Sequence, residues 1–345
     1  MNNESLVVKP TILSFITTNK CTAACNNCCF GCNPKKKNRI LLDEMKSYID
    51  QSLEAYSTIK LLVLTGGECF TLGKDLNEII KYGTQAGLMV RIVTNAYWAN
   101  SFEKAYKKLK DLVNSGLKEI NISTGDEHQE WVPYDNIVYA ISASLKLNLT
   151  VVVNVETSNL SKFNTKQLKE DDRLKEYFET DNKKLFVMDS VWMPFKKTTE
   201  KEMKSVLDND NVQKICLSNT RCTNLFSTIT INPFHHINAC CGLTSECTPY
   251  LKLGNAKRYS VKQLYEHQFE DLLKIWLYTE GPKKILDFIY EKRNIDPLDT
   301  SHWHICQICA ELFNNEENIR FLQKNKDLIL PNIVLKYTML RKYSV

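Results

Sequence analysis

Apolar residues in the first 190 positions occur in short runs that alternate with longer amphipathic stretches. The short runs are rich in Val, Ile and Leu, which is typical of buried strands. They predict strands over 11–17, 60–65, 89–94, 119–123, 150–156 and 184–189. The stretches between them predict helices near 43–57, 75–87, 102–115, 134–146 and 164–178. Regular strand–helix alternation predicts parallel strands that are joined by right-handed crossovers.

Six such units predict an α/β fold, as a partial (β/α)6 barrel or an open sheet. In both architectures ligands bind at the C-terminal ends of the strands. After about residue 200 the pattern changes to strands at 225–231 and 236–239 and helical segments within 261–292, 317–324 and 333–340. We therefore predict two domains, a barrel over residues 1–200 and a small cysteine-bearing domain with C-terminal helices over residues 201–345.

The composition, with 43% hydrophobic and 25% charged residues and a net charge of +5, is that of a soluble globular protein. No stretch approaches the roughly 20 apolar residues that cross a bilayer, and the N-terminus lacks the pattern of a signal peptide. We expect a cytoplasmic protein without a membrane partner. No nucleic-acid-binding signature is present, so we expect no nucleic-acid partner. About 20 residues precede Cys21, too few for a separate leader-binding domain.

The 13 cysteines are clustered along the chain. Five lie between 21 and 32, five between 216 and 247, and two at 306 and 309, while Cys69 stands alone. In a reducing compartment, many cysteines indicate metal binding or catalysis more often than disulfides. Because unrelated core cysteines would be scattered, the clustering favours metal sites.

The first cluster contains Cys21, Cys25 and Cys28 in a CxxxCxxC pattern, directly after the first predicted strand. Three thiolates can hold a cubane iron–sulfur cluster and leave its fourth iron without a protein ligand. The alternative is a zinc site with Cys29 or Cys32 as the fourth ligand. Thr65-Gly66-Gly67-Glu68 ends the second strand, where two glycines allow a close backbone approach to a ligand and the glutamate offers an acceptor. The three cysteines together with Gly66-Gly67-Glu68 favour an iron–sulfur cluster over a zinc site.

We call the segment that carries Cys21, Cys25 and Cys28 the cysteine loop. Followed by Gly66-Gly67-Glu68, it resembles the radical S-adenosylmethionine (radical SAM) superfamily over residues 11–200. The resemblance implies that the three cysteines bind a [4Fe–4S] cluster and that SAM chelates the fourth iron. Reduction would then cleave SAM to a 5′-deoxyadenosyl radical, with an electron donor of flavodoxin or ferredoxin type. It implies that SAM is contacted by Gly66, Gly67 and Glu68, and that its pocket is also lined by Thr94, Asn95, Ser123 and Asn154. For these last four, an ordinary polar strand end is the alternative.

The C-terminal cysteines resemble those of SPASM-type auxiliary domains in radical SAM enzymes that modify peptides. This resemblance implies an auxiliary [4Fe–4S] cluster, for which we predict four ligands: Cys222, Cys240, Cys306 and Cys309. Either Cys216 or Cys247 could replace one of them. Zinc remains the alternative, since cysteine spacing does not distinguish the metal. His302 and His304 flank the last pair and could support it through hydrogen bonds.

Adjacent Cys240 and Cys241 would point to opposite faces of an extended segment, so both would not readily bind one cluster. Cys241 could then face the barrel mouth as a free thiol; a further ligand or a small buried apolar residue is the alternative. Cys28-Cys29-Phe30, Ser123 with His128, Cys240-Cys241 and the 306–313 segment resemble the epipeptide-type peptide epimerases. This resemblance implies that Cys241 returns a hydrogen atom to a ribosomal precursor peptide. A carboxylate expected within 224–232 is absent, and Thr228 is its nearest equivalent.

Three functions follow from these patterns. The leading hypothesis is L-to-D epimerisation of a ribosomally made peptide at an α-carbon. A second keeps the radical but predicts a thioether or carbon–carbon cross-link, or oxidation of the peptide. The third is a zinc-binding adaptor without catalysis, which would explain the cysteines but not Gly66-Gly67-Glu68.

Overall fold

The computed structural model describes residues 7–157, 161–179, 183–191, 220–300 and 303–343. Nine strands form one sheet in the order β6-β5-β4-β3-β2-β1-β7-β8-β9. The first six are β1 Ile12–Ile16, β2 Leu61–Thr65, β3 Met89–Thr94, β4 Leu117–Thr124, β5 Thr150–Thr157 and β6 Leu185–Val191. All six are parallel, and each pairs with its neighbour in sequence. The predicted α/β fold with a large parallel sheet is confirmed.

The helices between these strands are α1 Leu42–Ala55, α2 Lys74–Gln85, α3 Phe102–Asn114, α4 Asp126–Gln129, α5 Tyr134–Lys146, α6 Thr165–Lys169 and α7 Lys175–Glu179. Alternate strand residues, such as Leu13 and Phe15 of β1, are fully buried in the core with the apolar faces of α1, α2, α3 and α5. The opposite residues of each strand, such as Ser14 of β1, therefore point to the other face of the sheet. We call this second face the inward face.

The helix predicted over 164–178 is two short helices, α6 and α7. The Asp171 carboxylate accepts a hydrogen bond from the Arg173 backbone amide (Oδ1–N 2.9 Å) and also binds the Arg173 guanidinium. Such a turn closed by an aspartate side chain competes with the helical hydrogen bonds, which explains the break.

Three further strands extend the sheet beyond β1, namely β7 Thr228–Ile231, β8 His236–Asn238 and β9 Lys252–Asn255. β7 is parallel to β1, whereas β8 and β9 are antiparallel to their neighbours. The remaining helices are α8 Val261–His267, α9 Leu272–Glu280, α10 Pro282–Arg293, α11 Ile305–Phe313, α12 Glu316–Lys324 and α13 Lys326–Tyr343. No helix in the described ranges is long and apolar enough to cross a membrane.

The C-terminal region has its own hydrophobic core, which includes Phe226, Trp276, Ile289 and Leu312. Cys240 belongs to this core, so the predicted auxiliary ligand lies within the packed interior of the C-terminal region. The proposed domain boundary near residue 200, together with Cys216 and His302, lies outside the described residues.

Candidate functional site

A cavity of about 370 Å³ lies at the C-terminal ends of the parallel strands. This volume lies within the range of small-molecule sites. The predicted residues in its walls are Cys21, Cys25, Cys28, Gly66, Gly67, Thr94, Asn95, Ser123 and Asn154. The structure thus brings together the three predicted cluster ligands and all but one of the residues predicted to contact SAM. We call this the cluster cavity.

The three thiols have different surroundings. The sulfur of Cys21 accepts hydrogen bonds from the Ala23 amide (3.4 Å) and from Asn95 Nδ2 (3.7 Å), although burial raises its pKa to about 11. The sulfur of Cys28 accepts from the Cys32 amide (3.4 Å), and a hydrogen bond with the Cys32 thiol lowers its pKa to about 6. The Cys25 thiol donates to the Glu127 carbonyl (3.7 Å), and burial together with the nearby Cys28 raises its pKa. Because N–H donors aimed at sulfur stabilise thiolates, the surroundings favour a thiolate at Cys28, whereas Cys21 and Cys25 would depend on a bound metal to lose their protons.

The donor set fits a [4Fe–4S] cluster. Within the described ranges, no three His, Cys, Asp or Glu side chains are arranged to hold a single metal ion. A cubane does not require such a group, because each of its thiolate ligands bonds a different iron atom. Cys21, Cys25 and Cys28 would hold the cluster, and the polar wall of the cavity leaves room for a second ligand beside it.

The two glycines of the Gly-Gly-Glu turn are needed because the backbone of the cysteine loop lies directly against them. A Cβ on Gly67 would come within 2.3 Å of the Lys20 carbonyl oxygen, and one on Gly66 within 2.7 Å of the Thr18 carbonyl oxygen. Gly66 also has a φ of +143°, which side chains rarely adopt. The Gly67 amide donates to the Thr18 carbonyl (2.6 Å). The sequence analysis predicted that these glycines let a ligand approach the backbone closely. In the structure, the backbone of the cysteine loop makes this close approach, at least in part.

Glu68 is fully buried and does not line the cluster cavity. Its carboxylate accepts hydrogen bonds from Thr94 Oγ1 (2.9 Å to Oε1), the Asn95 amide (2.8 Å to Oε2) and the Phe70 amide (3.1 Å to Oε1). Burial raises its pKa to about 7. In this structure Glu68 fixes the end of β3, and so places Asn95 against Cys21. The predicted contact of Glu68 with SAM stays a prediction.

A second group of polar residues holds the cysteine loop from the side of β4, and the sequence analysis missed most of it. Glu127 accepts from the Asn27 amide (3.0 Å) and from Asn27 Nδ2 (2.6 Å). His128 lines the cluster cavity, and its Nδ1 lies 2.6 Å from Oε2 of buried Glu156. Glu156 also accepts from the Glu127 amide. The only sequence signal was the position of His128 shortly after a strand end.

The second cavity, of about 170 Å³, lies in the C-terminal region. Its walls include all four predicted auxiliary ligands, Cys222, Cys240, Cys306 and Cys309. Burial raises the pKa of each thiol, and the nearness of the other thiols adds to the effect. Four thiolates are therefore costly here without a positive partner, and an iron–sulfur cluster would supply one. We call this the auxiliary cavity.

The helix that carries the last two cysteines was not predicted. Its first turn is capped by His304, whose Nδ1 accepts from the Cys306 amide (3.2 Å). His304 also lines the auxiliary cavity, so it supports the pair as a helix cap. Histidine is not among the preferred cap residues, which explains why the start of α11 was not evident in the sequence.

The segment 240–244 touches both cavities. Cys240, Gly242 and Thr244 line the auxiliary cavity, whereas Leu243 lines the cluster cavity. Neighbouring residues of the segment thus line different cavities, while the predicted position of Cys241 at the barrel mouth stays a prediction. Cys241 lines neither cavity and is exposed, in contrast to buried Cys240. The segment therefore connects the two sites directly.

Cys241 lies beside Thr228, with which its thiol forms a hydrogen bond. Surrounding atoms nonetheless desolvate the thiol and raise its pKa, which favours the protonated S–H form. Thr228 is the residue that the sequence placed at the position of the missing carboxylate. Cys247 is also exposed and lines neither cavity, so the structure does not place it with the four auxiliary cysteines.

Two comparisons with known sequences cover different parts of the chain, and no family model matches it. YydG of Bacillus subtilis strain 168, a protein assigned to peptide biosynthesis, is 22% identical over 311 residues, covering 88% of this chain and 92% of YydG. GTP 3′,8-cyclase of Campylobacter jejuni subsp. doylei is 29% identical over 157 residues, covering 41% of this chain and 46% of the cyclase.

Among solved structures, anSMEcpe with bound AdoMet has a TM-score of 0.54 at 12% identity, covering 95% of this chain and 99% of anSMEcpe. The same protein with AdoMet and the Cp18Cys peptide gives a TM-score of 0.52 at 11% identity, covering 96% and 99%. At this identity the likeness shows the fold, which is that of radical SAM enzymes. In this fold, the predicted three-cysteine motif lies beside a cavity at the C-terminal ends of the strands.

Proposed function

We propose that the chain is a radical SAM enzyme that modifies a ribosomally made peptide, and that the modification is L-to-D epimerisation at an α-carbon. The observation that carries the proposal is the 240–244 segment, which reaches both cavities and leaves Cys241 free of either ligand set. The similarity to YydG and to a structure that holds a peptide supports the peptide substrate.

The cluster cavity suits the first half of the reaction. Cys21, Cys25 and Cys28 would hold the [4Fe–4S] cluster, and Asn95, Ser123 and Asn154 would line the place for SAM. When bound and reduced, these cofactors supply a 5′-deoxyadenosyl radical that removes the α-hydrogen atom of the substrate. The protein positions the peptide and excludes water from the radical.

Cys241 suits the second half of the reaction. Its S–H bond breaks as a new C–H bond forms on the opposite face of the α-carbon, which inverts the centre and leaves a thiyl radical. One electron and one proton then restore the thiol. Cys222, Cys240, Cys306 and Cys309 would hold an auxiliary cluster, and such a cluster would supply one-electron chemistry close to Cys241, which is adjacent to Cys240 in the sequence. The external donor would be a flavodoxin- or ferredoxin-type protein.

Hydrogen isotope labelling tests the proposal. The reduced holoenzyme is incubated with SAM and candidate precursor peptides in deuterated water. The thiol exchanges its proton with solvent, so epimerisation places one deuterium at an α-carbon and raises the peptide mass by about one dalton. An unlabelled product that carries a new thioether or carbon–carbon bond, or that has lost two hydrogens, would instead establish cross-linking or oxidation.

The Cys241→Ala variant separates these outcomes. Without the thiol, the substrate radical cannot receive its hydrogen atom, and we expect D-residue formation to fall at least a hundredfold. The matched control is Cys247→Ala, which removes another exposed cysteine of the same loop that lines neither cavity. If Cys241→Ala and Cys247→Ala formed the same product at the same rate, Cys241 would not be the hydrogen donor.

A further inference from the structure

We propose that the substrate peptide binds as an added β-strand along β6, beside the cluster cavity. The proposal rests on the proposed function and specifies how the same site recognises its peptide. β6 ends the parallel part of the sheet, and among the described residues it pairs with β5 alone. We call the side of β6 that faces away from β5 the outer edge. The backbone N–H and C=O groups at such an edge can pair with an extended peptide.

The hydrogen-bond register shows which residues of β6 face the outer edge. The Val151 amide donates to the Lys184 carbonyl (2.7 Å), so the backbone of Lys184 faces β5. In a parallel pair, every second residue of a strand bonds the same neighbour. The backbone groups of Phe186, Met188 and Ser190 therefore face β5, and those of Leu185, Val187 and Asp189 face outward. No further strand within the described ranges pairs with these outward groups.

The inward side chains of β6 connect the outer edge with the cluster cavity. Ser190 lines the cavity, and its hydroxyl donates to Oδ1 of Asn154 (3.4 Å), another residue of the cavity wall. Met188 is the register partner of Asn154. Phe186 and Met188 precede Ser190 by four and two residues, so their side chains share its face of the sheet. A strand added at the outer edge would therefore pass the mouth of the cavity.

The composition of β6 leaves this edge open to pairing. Edge strands are commonly protected by lysine, proline or a bulge. The strand reads Leu-Phe-Val-Met-Asp-Ser-Val, without proline or a basic residue, and its pairing with β5 has no register shift. Phe186 is 48% and Met188 51% exposed. Adjacent exposed apolar side chains on an unprotected edge indicate a binding surface.

The chemistry of the edge favours an extended peptide whose central residues are uncharged. Asp189 is the one charged residue of β6, and its carboxylate accepts a hydrogen bond from Thr157 Oγ1 (3.0 Å). Its side chain points to the face opposite that of Ser190, away from the cavity. Backbone pairing would supply affinity, and contact with Phe186 and Met188 would favour apolar side chains at alternate peptide positions.

The two ends of the sheet differ in their relation to the radical source. The opposite end is β9, which contributes no residue to the cluster cavity. β6 contributes Ser190, and its partner strand β5 contributes Asn154. Of the two end strands of the described sheet, β6 is therefore the one along which a bound peptide would reach the cavity.

Hydrogen exchange of single backbone amides tests the proposal. The SAM-loaded holoenzyme is used without reductant, so that no turnover occurs. The probe is acetyl-Lys-Thr-Val-Thr-Val-Thr-Lys-amide, whose terminal lysines keep it soluble. We expect the peptide to slow exchange at the Val187 and Asp189 amides at least tenfold, since these amides gain hydrogen bonds. The Phe186 and Met188 amides already bond β5 and should exchange slowly with or without peptide, which makes them an internal control.

Matched changes in the peptide and the protein test whether the backbone makes the contact. The same peptide with every central residue N-methylated keeps its side chains but cannot donate, and it should not slow exchange. Val187→Pro removes an outward N–H group and keeps the bonds to β5, so it should weaken peptide binding at least tenfold. Val187→Thr keeps the N–H group at nearly equal volume and should bind as the wild type does. Melting temperatures show whether both variants are folded.

Three results would overturn the proposal. Slow exchange at the Val187 and Asp189 amides without peptide would show that another part of the chain covers the edge. Absence of any effect at millimolar peptide, or an equal effect of the N-methylated peptide, would exclude strand addition. Cleavage of SAM by the reduced wild type without peptide is a separate measurement. Its failure would contradict the proposed function and leave the exchange result unaffected.

Discussion

The two cysteine sites of this protein are built in opposite ways. The cluster cavity is the larger, at about 370 Å³ against about 170 Å³, and it combines five cysteines, three of them the predicted cluster ligands, with polar strand ends. The auxiliary cavity gathers four cysteines within the C-terminal region, beside its hydrophobic core. A site that must admit SAM needs an open iron and a polar wall, whereas a site that only passes electrons can use a protein ligand for every iron.

The thiols show the same contrast. In the cluster cavity, hydrogen bonds, mainly from Cys32, lower the pKa of Cys28 to about 6, whereas burial raises the pKa of Cys21 to about 11 and also raises that of Cys25. In the auxiliary cavity, burial raises the pKa of all four thiols. Local hydrogen bonds thus prepare one thiol of the first site, Cys28, as a thiolate, whereas all four buried thiols of the second site depend on a metal for that.

The largest predicted effect comes from removing the first ligand set. Replacement of Cys21, Cys25 and Cys28 by alanine should abolish 5′-deoxyadenosine formation and lower the iron content from about eight to about four per chain. Iron analysis and chromatography of the SAM products measure both quantities. Cys247→Ala is the control and should retain both. Continued SAM cleavage by the triple variant would show that these cysteines are not needed for the proposed chemistry.

Removal of the predicted auxiliary ligands should lower stability more than removal of the ligands in the cluster cavity. Replacing Cys306 and Cys309 by alanine should remove about four irons and lower the melting temperature by about 5 °C or more, because metal binding and folding of the C-terminal core are coupled. Calorimetry of the anaerobic protein measures the shift. Full iron retention in this variant would contradict the predicted ligand set.

A smaller effect is expected at Gly67, where a Cβ would meet the Lys20 carbonyl. Gly67→Ala should displace the cysteine loop, weaken SAM binding at least tenfold, and lower the free energy of unfolding by about 1–3 kcal/mol. Equilibrium dialysis with SAM and urea unfolding measure the two changes. Gly87→Asn is the control, since no atom lies near its Cβ position and asparagine tolerates its φ of +83°.

The smallest effect should come from the support that Glu127 of α4 gives to the cysteine loop. Asn27→Ala removes the side-chain hydrogen bond to Glu127 but keeps the one from the backbone amide. We expect a loss of about 1 kcal/mol in stability and a two- to fivefold weaker affinity for SAM. Asn77→Ala on α2 is the control. An affinity equal to that of the wild type would show that the loop does not need this bond.

Much of the fold, and the division of the cysteines into two sites, could be predicted from the sequence, because both depend on hydrophobic periodicity and cysteine spacing. The strand at 89–94 has the predicted limits, and the ends of the other five N-terminal strands differ by one or two residues. All four preferred auxiliary cysteines line one cavity, although 84 residues separate Cys222 from Cys306. Cys240 is buried in the wall of that cavity and Cys241 is exposed. That their side chains point to opposite faces, with Cys241 at the barrel mouth, stays a prediction.

Other features depend on contacts that no local pattern shows. Glu68 turns into the core because three donors from its own turn and the end of β3 meet there. Glu127 and Glu156 look like ordinary polar residues until the fold brings them beside Asn27 and His128.

The central claim, that the chain carries two iron–sulfur clusters of different kinds, is tested most directly by metal analysis with Mössbauer spectroscopy of the anaerobically purified protein. We predict about eight irons and eight sulfides per chain. We also predict that added SAM changes the signal of one iron in a single cluster, because only the three-cysteine site leaves an iron open. A colourless protein that contains zinc in place of iron, or two clusters that both ignore SAM, would contradict the account.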